Sequence, residues 1–184
     1  MWIGFILIAI AIALVAFMPN GSSGKRFTLT SSAFADGASI PKLYSCEGSS
    51  ISPPLSWMNA PAGTKSFALV LFDPDVPTAV LPAGFFNHWE VFNIPASATS
   101  LDASSTLGTQ GNNGSGKLGY TGPCPPPQFN PKEHRYVFTV YALDTTLSLP
   151  AGADRNQIEG AMADHILGEA QLIGKYQKVG TTAK

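Results

Sequence analysis

Charge is scarce in this chain. Asp, Glu, Lys and Arg make up 12% of its 184 residues, with 11 basic against 12 acidic side chains and a formal net charge of −1. No basic run is present, so the electrostatic footprint of a nucleic-acid binder is missing, and any anion must be captured by a few local groups. Histidines number three and cysteines two, and no His pair stands at i, i+4. Spacing diagnostic of a metal centre is therefore absent, and neither a metal nor a cofactor is expected. No internal repeat is found either, so the chain is not a repeat array.

Glycine and proline are plentiful, at 18 and 15, and 45% of residues are apolar. That composition fits an all-β or loop-rich domain and argues against disorder. Met1 to Met18 carries no charged side chain; Pro19-Asn20 then breaks the run, and the small residues Ser22 and Gly24 follow. The expected organisation is a hydrophobic signal peptide or membrane anchor at 1–19, a flexible linker at 20–26, one domain at 27–178 and a tail at 179–184. Export is the expectation, giving a secreted, periplasmic or membrane-anchored protein. Lys25 and Arg26 lie on the far side of the apolar run and no Lys or Arg precedes it. The alternative is thus an anchored protein with a cytoplasmic domain.

Along the domain, 27–30 is expected to start the first strand, and 52–57 reads as an ordered Pro-rich loop capped by Trp57. Ser66 to Phe72 is almost continuously apolar, as in a strand covered on both faces, and His88 to Ile94 is its expected partner. Residues 96–117 are rich in Ser, Thr, Gly and Asn and predict a long surface excursion. Arg135 to Ala142 alternates and predicts another strand. One helix is expected. Asp154 and Gln157 form a capping box, and Ile158, Met162, Ile166, Ala170 and Ile173 recur at helical spacing up to Gly174. His165 falls beside that stripe and reads as structural.

Chemistry gathers at predicted strand ends. Asp73-Pro-Asp-Val-Pro77 holds two carboxylates in a stiff loop where a buried strand stops, because two prolines cannot continue a ladder. His88-Trp89 opens the next strand, and Gly122-Pro-Cys124 precedes His134. With Asn93-Ile-Pro95, Gly119-Tyr-Thr-Gly-Pro-Cys-Pro-Pro126, His134-Arg-Tyr136 and Tyr141-Ala-Leu-Asp144, these segments follow one another in an order that resembles the phosphatidylethanolamine-binding protein family, including its Raf-kinase-inhibitor-like branch in bacteria and archaea. The resemblance implies a mainly β fold: an antiparallel β-sandwich of Greek-key type with a C-terminal helix and few others. It also implies a small anion pocket, which carried over residue by residue falls on Asp73, His88, Gly122, Cys124, Pro125, His134 and Tyr136, with Phe86 at the rim; Asp75, in the same stiff loop, is a further candidate site carboxylate.

The expected function is a non-enzymatic binder of phosphate-type groups such as phospholipid headgroups, held near lipid if the N-terminal segment is retained. An inhibitor of a protease or kinase is the alternative, and a hydrolase using Cys124 with a histidine is a third reading. Chemically, imidazoles and the Tyr136 hydroxyl can donate to an anion, and the carboxylates are expected to accept from His and raise its pKa. Tighter anion binding below about pH 6.5 is the corresponding expectation. The two cysteines, Cys46 and Cys124, are candidates for a disulfide joining the Pro-rich loops. Three departures from the family pattern stand out: Ser50 where Asn is common; the 127–133 connection, longer than a compact Gly-containing one; and Glu90 where an apolar residue is commoner, its side chain sent by alternation opposite that of Trp89.

Overall fold

In the computed structural model, residues 25–178 are described; the segment at 1–19, most of the linker at 20–26 and the tail at 179–184 lie outside them. In chain order the strands are β1 (Thr28–Thr30), β2 (Leu55–Met58), β3 (Ser66–Asp73), β4 (Phe86–Pro95), β5 (Ser100–Leu101), β6 (Thr109–Gln110), β7 (Glu133–Leu143) and β8 (Ile166–Gln177), with helix α1 (Arg155–Met162) between the last two. All strand pairings are antiparallel. They build a three-stranded sheet in the order β1-β2-β5 and a five-stranded sheet in the order β6-β4-β3-β7-β8.

Strand β3 occupies the middle of the larger sheet, which explains its nearly unbroken apolar sequence. Its Phe67, Leu69 and Leu71 point into the core shared with Leu29, Leu55 and Trp57 of the smaller sheet. Its Ala68 and Val70 join Phe92, Ile158 and Met162 in a second cluster beneath α1. The alternation expected at Trp89 and Glu90 is present: Trp89 belongs to the core between the sheets, while Glu90 is buried toward the opposite face. Asn93 makes an irregularity in β4 useful. With φ at 53° it turns its side chain onto the 144–153 connection, donating to the Leu147 carbonyl at 2.9 Å and accepting from the Leu147 amide at 2.7 Å.

Two sequence expectations are corrected. The segment expected to be a loop up to Trp57 contains β2, where Leu55 and Trp57 are buried while Ser56 and Met58 are exposed. The C-terminal helix is real but short. Asp154 and Gln157 form the reciprocal capping box, each bond at 2.9 Å, yet the α-helix ends at Met162 and a 3-10 turn, Ala163–His165, leads into β8. Burial in β8 follows a period of two through Ala170, Leu172, Gly174 and Tyr176. Pairing with β7 over eleven register positions, from Glu133 with Gln177 to Leu143 with Ile166, outweighs a helical spacing that carried only two large residues, Ile166 and Ile173, past Met162.

Candidate functional site

In the order β4-β3-β7, the C-terminal end of β3 lies beside the N-terminal ends of both neighbours. Asp73 therefore meets Phe86 and His88 on one side and His134 and Tyr136 on the other. Together they form the floor of a cavity of about 410 Å³, walled by Thr121, Cys124 and Pro125 and rimmed by Val76, Val80 and Leu81. The sequence-predicted Asp73, Phe86, His88, Cys124, Pro125, His134 and Tyr136 are brought together here.

The floor is built from buried side chains. Asp73, His88, His134 and Tyr136 are 3%, 5%, 0% and 0% exposed. Asp73 accepts from Nδ1 of His134 at 2.7 Å through one carboxylate oxygen and from the Asp75 amide at 2.8 Å through the other. His88 is packed edge-on between Phe86 and Tyr136, with ring centroids 4.8 and 5.1 Å away. Its Nδ1–H donates to the Thr121 carbonyl at 2.8 Å. Here the expectation that the carboxylates charge both imidazoles is corrected. Among the described residues no carboxylate is bonded to His88, and burial pushes it down to about 4, against weaker upward pulls from the Thr121 carbonyl and Asp73. Tyr136 is held as a neutral phenol, its pKa raised first by burial and then by the charge of Asp73.

Asp75, also predicted at the site, is not among the residues lining this cavity. Its carboxylate is tied to Arg135, and it borders a separate shallow groove with Glu133 and Lys175. Gly122 acts through its backbone. Its amide donates to the Ser50 hydroxyl at 2.9 Å, so Ser50 supplies the loop-fixing bond in place of Asn, from a residue at φ 51°. A Cβ on Gly122 would stand 2.7 Å from the Tyr44 carbonyl oxygen, which is why only glycine fits there.

Cys124 is joined to Cys46 in a disulfide across 5.4 Å between Cα atoms. The hydrolase reading is thereby deprived of its thiolate. The bridge and the bonds of Cys46 N–H to the Pro123 carbonyl at 3.0 Å and of the Tyr120 hydroxyl to the Tyr44 carbonyl at 2.6 Å clamp the 119–126 loop onto the 42–48 segment. His165 stands apart, half-exposed and bonded to Asp144 at 2.8 Å.

Sequence reasoning missed Thr121, whose carbonyl sets the His88 tautomer, and the apolar rim. A backbone acceptor leaves no trace in side-chain identity. Val76, however, sits inside the Asp73–Pro77 motif and was a readable signal. Among the described residues no three His, Cys, Asp or Glu side chains are grouped to hold a metal, and no helix is long and apolar enough to cross a membrane.

A family model described as phosphatidylethanolamine-binding protein matches residues 30–177. A UPF0098 protein of Methanothermobacter thermautotrophicus is 45% identical over 157 residues, covering 82% of this chain and 98% of its own. The crystal structure of a phosphatidylethanolamine-binding protein homologue from Chlamydia trachomatis is similar at a TM-score of 0.78 and 43% identity, covering 83% of this chain and 98% of that one. A lipoprotein-named protein of Mycobacterium tuberculosis is 40% identical over 157 residues, which is 84% of this chain and 74% of the relative.

Proposed function

Since the chain belongs to the phosphatidylethanolamine-binding protein family, we propose that its pocket binds a phosphate-type group, such as the headgroup of a phospholipid, without catalysing a reaction. One observation carries this reading: Nε2 of His134 is buried at the cavity floor with no hydrogen-bond partner among the described residues, and beside it the Tyr136 hydroxyl, which feels the Asp73 carboxylate and the Cys124 backbone, completes no hydrogen bond of full geometry. Each such group costs on the order of 1–3 kcal/mol if left unmet, and a tetrahedral oxyanion offers the acceptor and donor positions to meet both. The apolar rim of Val76, Val80 and Leu81 suits a ligand with carbon attached to its phosphate. The non-catalytic reading is supported by the bridged Cys124, which leaves no thiol nucleophile at the floor.

An extracytoplasmic location accompanies the proposal. Its support is the Cys46–Cys124 bridge, which suits an oxidising compartment, and the lipoprotein-named relative. The test is equilibrium binding of phosphoethanolamine and of inorganic phosphate to the wild type and to Tyr136→Phe. Loss of the phenol donor should weaken binding roughly tenfold or more. Absence of saturable binding by either compound overturns the reading, as does turnover of phosphate or carboxylate esters that disappears in the same variant.

A further inference from the structure

The phosphate reading leaves an electrostatic problem at the floor of the pocket. Among the described residues neither Lys nor Arg lines it. The neighbouring cation, Arg135, is committed to Asp75 at 2.7 Å. Asp73 is buried and offers negative charge. His88 has given its Nδ1 hydrogen to the Thr121 carbonyl, a group with no hydrogen to return, so the neutral ring shows a bare Nε2 lone pair. Among the other groups facing His88, the one imidazole, His134, is committed to Asp73. From β3 there is Asp73, from β7 His134 and the neutral Tyr136, from β4 the edge of Phe86, and from the 119–126 loop the Thr121 carbonyl and the bridged Cys124. A fully ionised phosphate would meet a lone pair and a carboxylate in a buried site, an arrangement that costs energy.

We infer that the pocket takes its oxyanion with one proton attached: the ligand is a phosphate monoester, or free phosphate, whose P–O–H donates to His88 Nε2 while another oxygen accepts from Tyr136. This rests on the phosphate reading above and narrows it. The proton resolves the mismatch at His88 and removes one negative charge facing Asp73. Whether it lies nearer the phosphate oxygen or Nε2, the complex holds one more proton than the separate protein and dianion. The burial that keeps His88 neutral in the free protein makes the ligand the natural source of that proton. Phosphate monoesters lose their second proton near pH 6, so affinity should fall about tenfold per pH unit above that value. A diester has no such proton to offer.

The experiment is calorimetric titration of the full chain with phenyl phosphate from about pH 5.5 to 8, in paired buffers of different ionisation heat, which counts protons taken up on binding. Diphenyl phosphate, inorganic phosphate and vesicles containing phosphatidic acid, a lipid monoester, form the comparison arms. Expected are an uptake approaching one proton at the alkaline end, the tenfold-per-unit loss, and binding of diphenyl phosphate at least tenfold weaker at the acid end. His88→Gln, which can turn an amide donor into the site, should abolish the uptake; its melting curve checks folding, and the wild-type proton count stands without it. The tightest monoester arm distinguishes a free from a lipid-borne source. Phenyl phosphate binding that is flat with pH and takes up no proton overturns the inference and leaves the phosphate reading standing. Failure of every arm at every pH overturns both.

Discussion

Arg135 grips Asp75 with Nε and Nη2 at 2.9 and 2.7 Å from its two carboxylate oxygens, and adds its own backbone N–H at 2.8 Å. The two carboxylates of one short motif thus have separate tasks: Asp75 fastens the loop to β7, and Asp73, two residues earlier, holds His134 inside the pocket. The Arg135 side chain is 54% exposed, so water screens the pair and its worth should be about 1 kcal/mol or less. Asp75→Asn should lower stability by no more than that, and weaken phosphate binding less than Asp73→Asn does. The bond from Arg135 holds the Asp75 carboxyl below its ordinary value. A depressed folded pKa contributes stability that is present above about pH 4 and is lost as pH falls through the folded value. Acid unfolding curves should therefore be shallower for Asp75→Asn below about pH 4; identical curves would refute the assignment.

Reduction of the Cys46–Cys124 bridge should destabilise the domain and loosen the pocket together. The bridge closes a loop of sequence separation 78, for which chain entropy alone gives at most roughly 4.5 kcal/mol. Cys46→Ser with Cys124→Ser should lower the unfolding midpoint and weaken ligand binding, because Cys124 and Pro125 are pocket wall. Thiol titration of the denatured, unreduced protein should find no free thiol; finding two would remove the basis of this prediction.

How far the sequence led is visible at these same residues. β3, β4 and β7 were legible because burial on two faces writes an apolar run and burial on one writes alternation. The end of the chain was not. Ile166, Ala170 and Ile173 fit a helical stripe, whereas the strand they belong to buries Ala170, Leu172, Gly174 and Tyr176. Gly174 misled most directly: it reads as a helix stop, yet an added Cβ would lie 2.5 Å from Ile40, so it is a close-packing position in the sandwich. At the site, Asp73, His88, His134 and Tyr136 were readable as residues, but their partners were not. That Asp73 pairs with His134, Asp75 with Arg135 and His88 with a carbonyl depends on register across three strands and one loop.

Glycines separate into those that space forbids changing and those it does not. Gly122→Ala would drive a methyl to 2.7 Å from the Tyr44 carbonyl oxygen and 2.8 Å from the Ser45 carbonyl carbon, both backbone atoms. The 119–126 loop must shift, at a cost of about 1–3 kcal/mol, and with it the Thr121 carbonyl that orients His88. Gly160 is exposed on α1 and an added Cβ there meets nothing within 4 Å. Gly160→Ala should raise stability by about 0.5–1 kcal/mol with ligand affinity unchanged. Denaturant midpoints for the pair test this, and a stable Gly122→Ala protein with normal affinity would contradict it.

Glu90 carries the sharpest pH prediction. It is fully buried beneath α1, and neither carboxyl oxygen finds a hydrogen-bond donor among the described residues. Arg155, the cation nearby, bonds Glu159 at 2.7 Å and Asn87 at 3.2 Å and lies 4.3 Å over the Phe72 ring instead. Burial pushes the Glu90 carboxyl up to about 8; Arg155 pulls it down, and Glu159 and Asp154 add to the rise. In the unfolded chain the same group releases its proton near pH 4.3. Between these values the native state holds a proton that the unfolded state has lost, so stability is greatest below the lower value and falls as pH rises toward the upper one. The slope from this one group is at most about 1.4 kcal/mol per pH unit. Glu90→Gln keeps the shape and removes the titration. The variant should match the wild type near pH 4, exceed it increasingly toward pH 8, and show a flatter profile across that range. Urea midpoints taken at unit pH steps measure this directly, and a wild-type slope that survives the substitution would show that another group sets it.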